Sequence, residues 1–325
     1  MVLDNGEKVQ YDKLLVATGS KPFVPPMKDI DKVEDKFTFM TWDSAKAIRE
    51  KVTAGTKVLI IGAGLIGLKC AEALHHLNAD ITVVDLADRI LPSILDVRAG
   101  EIMQKHIEDK GTKFILGTSV EQFSKNSAKL TNGETVDFDI LVIAVGVRPN
   151  TELVSDAGGK VEKGIITDLH QQTTIDNVYA AGDCTVSHDC SSNTDRILAL
   201  LPNAFMQGEV AGKNMAGEET LYLNAIPMNA IGFYGLHIIT AGSYDGDEDI
   251  TEDADKEIYK KLVFKDGLLK GFILMGDVAR AGIYTSMIKE QIPLTEVDLD
   301  LLRDKPQMMM FGKARREEKL AGKKH

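Results

Sequence analysis

The sequence is poor in cysteine, in aromatic residues and in long hydrophobic runs. Its 325 residues include three cysteines and one tryptophan, and only 6% of the residues are aromatic. The cysteines, Cys70, Cys184 and Cys190, form no C-x-x-C pair, so neither a zinc site nor a thioredoxin-like dithiol is expected, and no metal site is predicted. So few cysteines favour a reducing, cytoplasmic location. No apolar run approaches the roughly 18 to 20 residues of a membrane span, and the polar N-terminal stretch predicts no signal peptide.

Positive charge is also in deficit. The chain carries 38 Lys and Arg against 49 Asp and Glu, for a net charge of −11. Nucleic acids and anionic membranes bind basic surface patches, so neither is expected as a partner. Apolar residues make up 44% of the chain, which is enough for a packed core, and the length corresponds to about two average domains.

A glycine-rich turn lies between a strand-like run and a helix-like run. Residues 58–61 are continuously apolar, as expected of a strand buried on both faces, and residues 65–77 have helical periodicity. The turn reads G-A-G-L-I-G, and residues 81–85 form a second strand-like run that ends in an acidic side chain. This is the full context of a dinucleotide-binding fingerprint, in which the phosphates lie on the helix N-terminus. We therefore predict a binding site that includes Gly62, Gly64, Leu65, Ile66 and Gly67.

The acidic side chain, Asp85, predicts which dinucleotide binds. It lies 85 − 67 = 18 residues past Gly67, where a carboxylate can accept the ribose hydroxyls of the adenosine half. The same carboxylate would repel a 2′-phosphate, so the pattern favours NAD(H) over NADP(H). Arg89, four residues further on, is a basic side chain and favours the opposite preference, for NADP(H). A ligand-free glycine turn of an α/β protein is the alternative interpretation.

Three further segments separate flavin-containing from flavin-free dehydrogenases. They are residues 11–20 (YDKLLVATGS), 144–150 (AVGVRPN) and 174–183 (TIDNVYAAGD). In this order they resemble the ATG motif, the A-x-G-x-R-P-N segment and the second FAD motif of the pyridine nucleotide-disulfide oxidoreductase superfamily. The resemblance covers about residues 1–220. It is closest to the branch that contains NADH:rubredoxin reductases and the flavin module of NADH-dependent nitrite reductases.

The resemblance implies FAD and NAD(H) as cofactors and adds residues to the predicted site. Thr18 and Gly19 follow one buried strand, and Val145 and Gly146 follow another. A glycine at such a position lets the backbone approach a cofactor, and ligands in these sheets bind beyond the carboxyl ends of the strands.

The second FAD motif adds Gly182 and Asp183. The family assigns this aspartate a hydrogen bond to a ribityl hydroxyl of FAD, whereas a helix cap or a turn residue is the structural alternative. A helix that begins near Asn203 would point its N-terminus at the flavin pyrimidine, where negative charge develops on reduction.

Two departures from the family pattern limit what the resemblance implies. Relatives carry a first G-x-G-x-x-G well before the ATG motif, and this sequence begins just before ATG, so we expect a partial FAD domain that holds FAD weakly or not at all. Many relatives also have Glu two residues after the last motif glycine, close to the nicotinamide. Lys69 occupies that position and is interpreted either as a surface helix residue or as a functional one.

The expected architecture is α/β. A three-layer, Rossmann-like NAD(H)-binding domain is inserted in a partial FAD domain and is followed by a C-terminal α+β interface domain. The predicted segments are 1–36 and 153–220 for the FAD domain, 37–152 for the NAD(H) domain, 221–312 for the interface domain and 313–325 for a charged, solvated tail.

Three functions stay open at this point. The first is an FAD-dependent enzyme that passes hydride from NADH to flavin and then electrons to a small redox carrier protein or a small molecule. The second is a cysteine-based NADH oxidase, peroxidase or disulfide reductase whose redox cysteine lies upstream. The third is an NAD-binding module without activity. The apolar strand-like runs after residue 221 also predict self-association, as a homodimer.

Overall fold

The structure, a computed structural model, describes residues 1–321. Strands and helices alternate through the first half of the chain, and antiparallel strands dominate the second half. The strands are β1 (Leu14–Val16), β2 (Ser20–Pro22), β3 (Lys36–Thr38), β4 (Lys57–Ile61), β5 (Asp80–Asp85), β6 (Lys113–Leu116), β7 (Val120–Phe123), β8 (Ser127–Leu130), β9 (Thr135–Asp137), β10 (Ile140–Ile143), β11 (Val147–Pro149), β12 (Ile165–Ile166), β13 (Val178–Ala180), β14 (Thr185–Asp189), β15 (Thr194–Arg196), β16 (Met228–Phe233), β17 (Leu236–Gly242), β18 (Asp247–Asp253), β19 (Ile258–Lys265) and β20 (Leu268–Met275).

The helices flank these strands or connect them. They are α1 (Trp42–Lys51), α2 (Leu65–His75), α3 (Val97–Glu108), α4 (Glu152–Ser155), α5 (Leu201–Ala216), α6 (Ala281–Lys289), α7 (Leu299–Asp304) and α8 (Lys313–Ala321). None of the helices within residues 1–321 is long and apolar enough to span a membrane.

Five parallel strands form the central sheet, in the order β3-β10-β4-β5-β6. Its middle strand, β4, is buried from Val58 to Ile61, because helices and loops cover both faces of a parallel sheet. The carboxyl ends of β4, β5 and β10 therefore lie at one edge of the sheet. The predicted glycine turn, Asp85 and the 145–146 pair follow those three ends.

Two smaller pairings join chain segments that are distant in sequence. Strand β1 runs parallel to β13, with Leu14 opposite Val178, so the ATG segment and the second FAD motif lie side by side. Strand β2 is antiparallel to β11, with Lys21 opposite Arg148. This second pairing joins the segment that precedes the central sheet in the sequence to the segment that follows it.

The C-terminal part is a five-stranded antiparallel sheet in the order β16-β17-β20-β19-β18. Helix α6 packs on β20, where Tyr284 contacts Phe272 with ring centroids 5.4 Å apart. Asp266 and Gly267 both have positive φ in the predicted hairpin turn between β19 and β20. The predicted α/β class with a C-terminal α+β part is therefore confirmed.

Local boundaries differ from the sequence predictions at two helices. We predict Asp43 as the N-cap of the first helix, but Thr41 caps α1, and its side chain accepts from the backbone of Ser44. Asp43 lies in the first turn instead, where its negative charge interacts favourably with the helix dipole. The predicted helix over 102–110 begins earlier, at Val97, because Asp96 caps α3 by accepting from Ala99 at 2.9 Å.

Two C-terminal elements escape the sequence patterns. Strand β18 is rich in Asp and Glu, which β-strands disfavour, yet its acidic side chains find basic partners such as Arg98, Lys261 and Arg303. Residues 313–321, predicted as a solvated tail, form α8, and Lys319 on it pairs with Glu290 at 2.9 Å. The remaining tail residues, 322–325, lie outside the described residues.

The C-terminal sheet is fixed to the central sheet's helices through the turn at Tyr234. The backbone N–H of Tyr234 donates to Glu72 at 2.6 Å, and its carbonyl contacts His106 Nε2 at 3.2 Å. Its ring packs edge-on against His75, and its hydroxyl lies 3.2 Å from the Thr112 hydroxyl. Every polar group of this residue is thus engaged by α2, α3 or the loop that follows α3.

Candidate functional site

The glycine turn between β4 and α2 has room for a ligand at one position only. A Cβ on Gly62 would lie 2.3 Å from the Ala144 carbonyl oxygen, and one on Gly67 would lie 1.9 Å from the Gly62 oxygen. A Cβ on Gly64 would meet nothing within 4 Å. Gly62 and Gly67 therefore allow close packing inside the turn, whereas Gly64 leaves the helix start open.

The start of α2 offers donors to an anion. Gly64 is the N-cap and supplies no side-chain acceptor, so the first-turn N–H groups near Leu65 and Ile66 are left for an external partner. Together with the helix dipole, such groups favour a phosphate. This local geometry fits the pyrophosphate of a dinucleotide.

The carboxylate of Asp85 lies directly against this turn. Its Oδ2 accepts from the Ala63 backbone at 2.6 Å and its Oδ1 accepts from the Ala87 backbone at 2.7 Å. A carboxylate has about four acceptor positions, so each oxygen retains capacity for a further donor. Two adjacent ribose hydroxyls match that capacity.

The third strand end places Val145 and Gly146 beside the same turn. Gly62 packs against Ala144 and Val145, and a Cβ on Gly62 would lie 3.2 Å from the Val145 nitrogen. Gly146 has φ of 111° and is exposed, and a Cβ there would meet nothing within 4 Å. The structure thus brings the predicted β4, β5 and β10 residues together at one sheet edge.

Thr18 and Gly19 follow β1 and are held by a residue that the site prediction left out. Thr18 Oγ1 donates to the Asn150 carbonyl at 2.6 Å, and Asn150 Nδ2 donates to the Thr18 carbonyl at 2.9 Å. The backbone of Asn150 also donates to Gly19 at 2.9 Å. The R-P-N segment therefore fixes the ATG segment, which the motif alone did not indicate.

Asp183 and Gly182 follow the neighbouring strand β13. Ser20 Oγ donates to Asp183 Oδ2 at 3.0 Å. Asp183 begins no helix and lies in the turn that the hydrogen bond from the Thr185 backbone to the Gly182 carbonyl closes, so the helix-cap alternative does not apply. The backbone of Gly182, with φ of 86°, donates to Gln207 Oε1 at 2.6 Å. Gln207 lies on α5 and is buried. Its partner Gly182 is distant in sequence, so no local sequence pattern predicts this contact.

Two clefts lie between the start of α2 and the start of α5. One has a volume of about 280 Å³ and the other about 540 Å³. Leu65, at the start of α2, and Leu200, which caps α5, line both of them, as do residues of β16 and β17. The first residue of α2 and the N-cap of α5 therefore border a common space.

The chain is similar to several known proteins. Residues 1–208 match the family model described as pyridine nucleotide-disulphide oxidoreductase, and residues 227–292 match the rubredoxin NAD⁺ reductase C-terminal domain. The NADH-dependent phenylglyoxylate dehydrogenase subunit epsilon of Aromatoleum evansii is 33% identical over 304 residues, which cover 90% of this chain and 72% of that protein. The chain belongs to the pyridine nucleotide-disulphide oxidoreductase family.

Two further comparisons concern one relative and one solved structure. An NADH oxidase of Methanocaldococcus jannaschii is 38% identical over 226 residues, covering 67% of this chain and 50% of that protein. The fold also matches the putidaredoxin reductase–putidaredoxin complex with a TM-score of 0.85 and 22% identity, over 94% of this chain and 75% of that one. The chain thus spans about half of some curated relatives.

FAD and NAD(H) are the cofactors of this pyridine nucleotide-disulphide oxidoreductase family. The glycine turn fits NAD(H), because Gly64 is open and Asp85 retains acceptor capacity. The paired ends of β1 and β13 fit part of an FAD site, because Asp183 Oδ1 accepts no hydrogen bond within residues 1–321.

Lys69, where many relatives have Glu, contacts both α2 and β16. Its Nζ donates to Glu72 at 2.5 Å and to the Gly232 carbonyl at 2.5 Å, and it lies 5.1 Å from the Phe233 ring centroid. Lys69 therefore joins α2 to β16. Of the two interpretations of this residue, the structural one agrees with these contacts.

All three cysteines are buried and unpaired. Burial raises the pKa of the Cys70 thiol to about 12 and also raises the pKa of Cys190. Cys184 Sγ donates to the Ala181 carbonyl at 3.3 Å. Since a thiolate is the reactive form of cysteine, none of these three has the environment of a family redox cysteine.

Proposed function

We propose that this chain takes hydride from NADH onto a bound FAD and passes electrons to a small redox carrier protein or a small-molecule acceptor. The observation that carries the proposal is that Leu65, at the start of α2, and Leu200, at the start of α5, line the same clefts. When bound, FAD supplies the chemistry that converts a two-electron hydride donor into an electron source for carriers.

In this proposal the chain's residues bind and orient. Gly62, Gly64, Leu65, Ile66 and Gly67 hold the NADH pyrophosphate at the start of α2. Asp85 accepts the adenosine ribose hydroxyls and selects against a 2′-phosphate. Val145 and Gly146 border the nicotinamide half.

On the flavin side, Thr18 and Gly19 allow close backbone approach and Asp183 accepts from the ribityl chain. Gly182 positions Asp183, held by Gln207. The N-terminus of α5 stabilises negative charge on the flavin pyrimidine.

The test is an anaerobic titration of the FAD-reconstituted chain. NADH should bleach the flavin absorbance with one equivalent, and NADPH should do so only at much higher concentration. Adding a rubredoxin or another iron–sulfur carrier should then restore the flavin spectrum. A chain that binds NADH but leaves added FAD oxidised would contradict the proposal and support the NAD-binding module.

The NADH oxidase among the relatives favours a second candidate, a thiol-based oxidase. The environments of Cys70, Cys184 and Cys190 argue against it for these three residues. Their reaction with a disulfide reagent such as dithionitrobenzoate should be slow in the native chain and complete in denaturant. Rapid native reaction of one thiol, blocked by NADH or FAD, would favour the oxidase.

We further propose that the chain self-associates through its C-terminal sheet and works in the reducing cytoplasm. The match of 227–292 to a reductase C-terminal domain supports the first point, and the three unpaired thiols support the second. Sedimentation velocity at rising micromolar concentrations should show a dimer, and a constant monomeric mass would contradict it.

A further inference from the structure

The two clefts at the start of α2 are walled by the C-terminal sheet. Most of their shared lining is apolar and includes Leu65 and Leu200. The polar side chains that both clefts share are Asn229 on β16 and Thr240 on β17. A small number of placed polar groups in an apolar cleft is the usual means of orienting a ligand.

Tyr244 lines one of the two clefts together with Asn229 and Thr240. Tyr244 Oη donates to the Ile94 carbonyl at 2.8 Å. Burial raises the pKa of Tyr244 to about 12, and a hydrogen bond with Thr240 acts in the opposite direction. The phenol therefore stays protonated at neutral pH and keeps its hydrogen bond to Ile94.

Thr240 holds the side-chain amide of Asn229. Asn229 Nδ2 donates to Thr240 Oγ1 at 3.4 Å. Asn229 Oδ1 accepts no hydrogen bond within residues 1–321. The amide is thus held with its nitrogen towards the sheet and its carbonyl oxygen available to a ligand.

We propose that Asn229 Oδ1 accepts a hydrogen bond from the carboxamide N–H of nicotinamide, which makes Asn229 a specificity-determining residue for NADH. This inference rests on the proposed function, because it requires NADH on the glycine turn. Leu65 directly follows Gly64, so a dinucleotide with its pyrophosphate at Gly64 and its adenosine at Asp85 extends its other half past Leu65. Leu65 and Asn229 line the same clefts.

The test compares three ligands that differ at the nicotinamide. NADH carries the carboxamide, reduced 3-acetylpyridine adenine dinucleotide replaces its NH₂ with a methyl group, and ADP-ribose lacks the ring. Calorimetry on the full chain measures all three, with and without FAD. Asn229→Ala should bind NADH about five-fold more weakly, the size of one neutral hydrogen bond, and should bind the other two as the parent does.

Two further variants sharpen the comparison. Asn224→Ala makes the same chemical change at an exposed side chain that lines a different cavity, and it should change none of the affinities. Thr240→Val keeps the shape of a buried side chain but removes the acceptor of Asn229 Nδ2. It should lower the affinity for NADH by about two- to three-fold, in line with the loss of one weak hydrogen bond. This loss is smaller than that expected for Asn229→Ala.

The outcomes separate this inference from the proposed function. An unchanged NADH preference over the acetylpyridine analogue in Asn229→Ala overturns the inference, as does equal weakening of all three ligands. Loss of FAD affinity with unchanged nicotinamide preference also overturns it, and assigns Asn229 to the flavin N3–H instead. If the parent chain binds neither NADH nor ADP-ribose, the proposed function itself has failed.

Discussion

Asn150 and Thr18 hydrogen-bond each other in both directions, at 2.6 and 2.9 Å. They lie 132 positions apart in the chain, and the central sheet is folded between them. Asn150 follows β11, which pairs with β2, so these bonds lock the exit of the central sheet onto the ATG segment. The side-chain amide of Asn150 thereby orders the backbone that the flavin would approach.

Replacing Asn150 with alanine should weaken that junction. One exposed side-chain hydrogen bond is lost and the Thr18 carbonyl is left to water, so the free energy of unfolding should fall by about 0.5–1 kcal/mol. FAD affinity should fall with it, because Gly19 loses its fixed neighbour. Urea unfolding followed by circular dichroism, together with flavin fluorescence, checks both, and Asn224→Ala is the control that should alter neither. An effect on stability without any effect on FAD would show that the junction does not order the flavin side.

Asp85→Ser should narrow the preference for NADH over NADPH. The serine cannot repel a 2′-phosphate and also loses the carboxylate that accepts from Ala63 and Ala87. NADH affinity should therefore fall about ten-fold, with a smaller loss for NADPH. Asp80→Ser, at the exposed start of the same strand, changes the same charge away from the turn and should leave the ratio unchanged. Tighter NADPH than NADH binding by the parent chain would contradict the role given to Asp85.

Gly62→Ala should destabilise the chain more than Gly55→Ala. Both glycines have positive φ, 112° and 78°, so both substitutions carry a backbone cost of about 1 kcal/mol. Only at Gly62 would the new Cβ lie 2.3 Å from the Ala144 oxygen, since Gly55 has open space. We expect a further loss of about 2 kcal/mol from overpacking and weaker NADH binding. Equal melting temperatures for the two variants would show that the turn relaxes freely.

The ion pair of Asp96 and Lys261 predicts an acid-dependent loss of stability. Asp96 Oδ2 lies 3.0 Å from Lys261 Nζ and accepts from Tyr259 at 2.7 Å. Burial opposes the charged form of Asp96, but the Ala99 backbone, Tyr259 and Lys261 together hold its pKa below 3.8. A carboxyl group whose pKa is lowered by folding stabilises the native state at pH values above its pKa in the unfolded chain. That stabilisation is lost as the pH falls through its pKa in the folded chain.

Asp96→Asn should therefore lower the free energy of unfolding by about 2 kcal/mol at pH 7, since it leaves Lys261 buried with Glu248 as its remaining partner. The difference from the parent should shrink steadily below about pH 4. Denaturant titrations at several pH values measure it. A difference that is constant from pH 7 to pH 3 would mean that the charge of Asp96 plays no part.

Local patterns predicted β4, α2 and β5 because the signals for these elements are short in range, whereas no pattern predicted the edge strand β3. The apolar run at 58–61, the three glycines and the 18-residue spacing to Asp85 all arise within one β-α-β unit, so the sequence contains them directly. The residues that the prediction missed, Asn150 and Gln207, act through partners that are distant in sequence, and nothing near them marks that role. Strand β18 was missed for a related reason, because its charges are compensated by basic side chains on other elements.

The Tyr234 turn has a consequence for how this chain can vary. A hairpin turn normally tolerates extra residues, because its tip faces water. Here Tyr234 at the tip packs against the rest of the protein. Its backbone, ring and hydroxyl contact Glu72, His75, His106 and Thr112. Lengthening the turn between β16 and β17 by a single residue would remove Tyr234 from four contacts at once. Insertions should therefore be accepted at the Asn132-Gly133 turn and rejected at this one.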